Sequence, residues 1–148
     1  MKKLMSWLAV LMWMGLIFYF SHQPGEESSE LSGSVVDLVL SIVPFIDADT
    51  DWVHYLIRKG AHFFIYFVLG ILVMNALSVS GVELKRSAWV SIVVCLLYAI
   101  SDEVHQLYIP GRSGKVSDVV LDTVGAGFGV FLYVVIWRET ARYKRKSS

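Results

Sequence analysis

The chain has 148 residues, of which 55% are hydrophobic and 14% aromatic, with a formal net charge of zero and a single cysteine. Soluble domains carry about 45–50% apolar residues, and here the excess comes in blocks, which indicates a small integral membrane protein. A neutral chain whose bases are dispersed, except near the C-terminal end, gives no electrostatic ground for nucleic-acid binding, and one cysteine cannot form an internal disulfide.

The first apolar run, Leu4 to Phe20, follows Lys2 and Lys3. It is rich in aromatics and passes into SHQPGEE without a small-x-small cleavage pattern, so it reads as an uncleaved span. A span needs about 20 apolar residues, roughly 17–25, and this run just suffices. Residues 21–50 form the longest polar connection. Within it Pro24-Gly25 ends the first helix and Pro44 marks another stop. Between them, in SVVDLVLSIVPF, Ser34, Asp37 and Ser41 share one helical stripe. A dozen residues cannot cross a bilayer, so two readings stand: an amphipathic interfacial or re-entrant helix, or a short helix packed on the spans.

Thr50 or Asp51 suits the cap of a helix beginning near Trp52, with Trp52 and Tyr55 placed for the headgroup level. His54, Arg58 and His62 recur every four residues and so share a face, while Lys59 lies one residue off it. The second span is predicted over about 61–79. The third, about 88–106, stays helical through Asp102, Glu103, His105 and Gln106. Tyr98, Asp102 and one of His105 or Gln106 share a face there. Pro110-Gly111 forces a turn, and the last span, about 116–137, opens with Ser117 as its expected N-cap and Asp118 and Asp122 one turn apart. Gly125 and Gly129 have the GxxxG spacing that lets a neighbouring helix approach closely. Cys95 sits in an apolar run and reads as a small buried hydrophobe.

The predicted fold is therefore all-α and polytopic: one membrane domain of four transmembrane helices. Nine of the 13 Lys and Arg residues fall on one side of this layout; only Arg58, Lys59, Arg112 and Lys115 fall on the other. The positive-inside rule then puts both termini in the cytoplasm and the 21–60 connection outside. Three helix ends converge on the outer face, carrying Arg58, Lys59 and His62, then Asp102, Glu103, His105 and Gln106, then Asp118 and Asp122. Ionisable groups at membrane depth are costly and mark candidate sites. Carboxylates with imidazoles suit acid–base chemistry or a divalent metal, and Arg or Lys suit a phosphate or carboxylate. Asp122, one turn below the helix start, needs a partner among Arg58, His62 and Arg112. Against this stands a bundle whose charges only pair with one another. No Walker loop, GxSxG, HExxH or CxxC pattern occurs.

These residues carry a resemblance. SHQP after the first span, RKGAHFFIYFVLG in the second, and YAISDEVHQLYIPGRSGKVSDVVLDTVGAGFG across the last two are similar to the VanZ family of bacterial membrane proteins, whose eponymous member is associated with teicoplanin resistance. The most specific block places Asp102, Glu103, His105, Gln106, Gly111, Arg112, Asp118, Asp122 and Gly125 at the family's positions, and Arg58, Lys59 and His62 agree with it. The resemblance implies a bacterial cell membrane location and glycopeptide resistance or cell-envelope work. The expected arrangement is an outward-facing pocket for an envelope lipid or a lipid-linked cell-wall intermediate. Arg58, Lys59, Arg112, Gln106 and Asp102 would bind the ligand. Glu103, His105 and His62 are the catalytic candidates, and Asp118 with Asp122 the metal candidates, for metal-assisted hydrolysis or transfer. The rivals are a non-catalytic binder that captures or excludes the glycopeptide and a structural bundle.

Overall fold

The computed structural model describes residues 1–25, 30, 33 and 50–146. Four helices cross the described part in order: α1 (Lys2–Ser21), α2 (Thr50–Val79), α3 (Leu84–Gln106) and α4 (Val116–Lys146). All four contain a stretch long and apolar enough to cross a membrane, and no strand occurs among the described residues. The stripe of Ser34, Asp37 and Ser41 lies outside the described residues. Near the membrane edge of α2, Trp52 and Tyr55 are exposed and stacked, as amphipathic rings at a headgroup level should be.

Exposure is inverted relative to a soluble bundle. Leu11, Met12, Trp89 and Phe131 point outward, while Asp102, Glu103, Gln106, Asp118 and Asp122 are buried. Lipid solvates the apolar exterior, so hydrophobicity does not drive the helices together; packing and hydrogen bonds must. Helix α2 is the hub and packs on α1, α3 and, most extensively, α4. At the α2–α4 seam, a Cβ on Gly125 would fall on the carbonyl oxygen of Phe63, one on Gly129 on that of Phe67, and one on Gly70 on that of Ala126. The GxxxG spacing thus serves contact inside the bundle, where small residues on both helices bring backbone against backbone.

Helix α1 is held by three kinds of contact. Trp13 Nε1 donates to the Ile65 carbonyl at 2.9 Å, and Tyr98 donates its hydroxyl proton to the Met14 carbonyl at 2.6 Å. At the opposite end Trp7 Nε1 reaches the Ser80 hydroxyl at 3.2 Å. Val10 and Ile17 then enter the core with Tyr66, Leu69, Val73, Ala76, Cys95, Ala99 and Ala126.

Some helix starts differ from expectation. Helix α2 begins at Thr50, two residues early. Helix α3 opens at Leu84, ahead of the expected 88. Helix α4 begins at Val116, so Ser117 is already inside it; its hydroxyl donates to Asp118 Oδ1 at 3.2 Å instead of capping the helix. One residue before the helix, the Lys115 N–H is taken by Glu103 Oε2 at 2.7 Å, a satisfaction supplied from α3.

Candidate functional site

The up-and-down order brings the end of α1, the start of α2, the end of α3 and the start of α4 to one end of the bundle. On α2, Arg58, His62 and Tyr66 follow at four-residue intervals and face a cleft of about 370 Å³. Asp102 and Gln106, one turn apart on α3, form a second wall, with Gln106 donating to Asp102 at 3.3 Å. The end of α1 supplies Ile17, Phe20, Ser21 and Gln23, and Arg112 reaches in from the α3–α4 turn. Much of the wall is apolar, with Ile57, Ala61 and Ile65 of α2 opposite Ile17 and Phe20.

Arg112 joins two loops. Its Nε donates to the Gln23 carbonyl at 3.1 Å and its Nη2 to the Phe20 carbonyl at 2.8 Å, so the guanidinium caps carbonyls left over at the end of α1. The Gly25 N–H donates to the Pro110 carbonyl at 3.1 Å, and the turn closes through Gly111 at φ +73°, where a side chain would be strained. The remaining Arg112 nitrogen, Nη1, is buried without a partner. Burial, then the neighbouring Arg58, holds the Arg112 guanidinium below its usual range, with Asp102 and Glu103 pulling the other way. Two arginines are therefore close enough to repel at the polar end of an apolar cleft.

Behind His62 lies a second group. His62 Nδ1 stands 3.6 Å from Asp122 Oδ1, and Asp122 is 0% exposed with no hydrogen-bond partner on either oxygen. One ligand atom each from His62, Glu103 and Asp122 lie within 4.8 Å of one another. Asp118 is engaged elsewhere: Lys59 forms an ion pair with its Oδ1.

Most of the residues anticipated from sequence are thus gathered at one end of the bundle, in two groups. Arg58, His62, Asp102, Gln106 and Arg112 line the cleft, whereas Glu103 and Asp122 stand behind it. Lys59 turns away from the cleft to Asp118 and lies 5.6 Å from the Tyr55 ring centroid. His105 belongs to a separate patch, its Nε2 3.2 Å from His22 Nδ1 and its ring 4.7 Å from that of Phe18. Of the two candidates for the face of Asp102, it is Gln106 that shares it. The side chain of His54 lies outside the described part.

Sequence reasoning built the pocket from three helix ends and missed the fourth, α1, and Tyr66. The SHQP block beside the first span was a signal for the former. Tyr66 carried a signal too, since it lies four residues beyond His62 and so on the same face. Its hydroxyl is buried and unpartnered.

The model of the VanZ/LLP1 family matches residues 6–138, nearly the whole chain. No curated protein matches, and no solved structure does.

Proposed function

The chain belongs to the VanZ/LLP1 family, and from that membership and the shape of the cleft we propose that it binds the anionic headgroup of a membrane amphiphile. The carrying observation is the pair Arg58 and Arg112 at the end of an apolar cleft. Among the described residues neither has a carboxylate within salt-bridge distance, and Arg112 keeps one buried N–H unused. Bringing two guanidinium groups together in a partly dehydrated site is unfavourable unless an anion joins them, and a phosphate accepts from both. Ile17, Phe20, Ile57 and Ile65 would receive the first part of an acyl or prenyl chain. Tyr66 and Gln106 supply further polar contacts.

The proposal includes an orientation: the cleft opens on the outer face, as the nine-to-four distribution of Lys and Arg favours. The substrate class is then an envelope lipid or lipid-linked cell-wall intermediate. A cleft of about 370 Å³ suits a headgroup with part of its chain better than a whole glycopeptide. If chemistry follows binding, His62 is the catalytic candidate best placed to take part, since it lines the cleft and His105 does not.

The test is lipid retention. Purified protein exchanged into mixed micelles of phosphatidylglycerol and phosphatidylcholine is examined by native mass spectrometry. The wild type should retain the anionic lipid preferentially, and Arg58→Gln should lower that retention about tenfold, the value of one charge-assisted contact. Equal retention of both lipids by the wild type, or an unchanged Arg58→Gln protein, would overturn the proposal.

A further inference from the structure

We infer that His62, Glu103 and Asp122 hold a divalent cation beside the cleft. The residues come from three different helices, α2, α3 and α4, and offer one imidazole and two carboxylates within 4.8 Å. Asp122 is the strongest indication. It is fully buried, neither oxygen has a hydrogen-bond partner, and its one counter-charge among the described residues is His62, which pairs with it only when protonated, whereas a buried carboxylate is tolerated only when paired, hydrogen-bonded or bound to a metal. Its separation from His62 Nδ1, 3.6 Å, is too long for a hydrogen bond. It is close to the roughly 3.4 Å that separates two ligand atoms on a tetrahedral ion held at about 2.1 Å.

Neighbouring groups fit the same purpose. The Lys115 N–H fixes Glu103 through Oε2 at 2.7 Å, leaving Oε1 with only a 3.5 Å contact from Gln106. One carboxylate oxygen is thus oriented by the backbone while the other stays available, as supporting contacts around metal ligands commonly arrange. Lys59 is committed to Asp118, and Arg112 to the end of α1. One imidazole with two carboxylates favours Zn²⁺ or Mn²⁺ over Mg²⁺ or Ca²⁺, and three protein ligands leave a coordination position open. His62 lines the cleft, so that position can take water or a headgroup oxygen. The second occupancy rests on the headgroup reading; cation binding does not.

The experiment uses full-length protein in detergent, stripped with a chelator, incubated with Zn²⁺ or Mn²⁺, freed of excess ion by gel filtration and analysed for bound metal. The wild type should hold about one equivalent and unfold at a higher temperature when loaded. Asp122→Asn and His62→Gln should weaken binding at least tenfold, and His105→Ala should not. Failure of the wild type to take up either ion would overturn the inference, as would loss of the metal in His105→Ala with retention in Asp122→Asn, which would assign it to the exposed His22–His105 pair. Phosphatidylglycerol retention by the same stripped protein separates the two proposals. Lipid bound by a protein that takes up no metal defeats the cation site alone, and metal bound by a protein indifferent to lipid charge defeats the headgroup reading alone.

Discussion

Lys59 and Asp118 illustrate how single residues at this end of the bundle divide the work. Both side chains are mostly buried, at 19% and 13% exposure, and they neutralise one another. Removing one partner strands the other charge, so Lys59→Met should destabilise the protein by about 2–4 kcal/mol in mixed-micelle unfolding, and Lys59→Met with Asp118→Leu should recover most of the loss. A double variant no more stable than the single one would show that the pair is not an isolated unit. The partner of Asp122 was legible as one of three, and of these it is His62 that stands within ion-pair distance, at 3.6 Å. Arg112 was legible as a ligand-binding candidate, but its tie to α1 was not, because the sequence gives no hint that its guanidinium would be drawn to the carbonyls of Phe20 and Gln23, 92 and 89 residues away. The choice between His105 and Gln106 was equally closed to sequence. Residues at i+3 and i+4 flank the face of residue i almost symmetrically, and only the rotation of α3 against α1, with the Phe18 ring tilted against His105, decides between them.

At the scale of elements, the four spans could be read from hydropathy because each must satisfy its backbone internally through a length set by the bilayer. Where the helices meet was less legible, although Gly125 and Gly129 announced a close contact. Spacing alone does not say whether the neighbour is within the chain or another copy; Gly70 opposite Ala126 on the same seam identifies it as α2. The contact makes a sharp prediction. Gly129→Ala puts a methyl onto the Phe67 carbonyl oxygen, which no side-chain rotation relieves, and should cost about 2–3 kcal/mol. A Cβ at Gly127, two residues away, meets no described atom within 4 Å, so Gly127→Ala should leave stability unchanged or raise it by up to about 1 kcal/mol. Equal effects of the two changes in mixed-micelle unfolding would contradict the packing described for α2 and α4.

For the whole molecule, the arrangement places an apolar cleft with a cationic end at one end of a four-helix membrane bundle, and its biological meaning depends on which side of the membrane that end faces. An outward cleft meets envelope lipids and cell-wall intermediates; an inward one would meet a different set of anions. The decisive measurement is labelling of single introduced cysteines in intact cells with a membrane-impermeant maleimide. Ser113, exposed in the α3–α4 turn at the cleft end, and Glu83, exposed in the α2–α3 turn at the other, are the reporters, and native Cys95 is buried. Ser113→Cys is expected to label in intact cells while Glu83→Cys labels only after the membrane is permeabilised. Labelling of Glu83→Cys in intact cells, with Ser113→Cys protected until permeabilisation, would contradict the outward cleft and the envelope ligand with it.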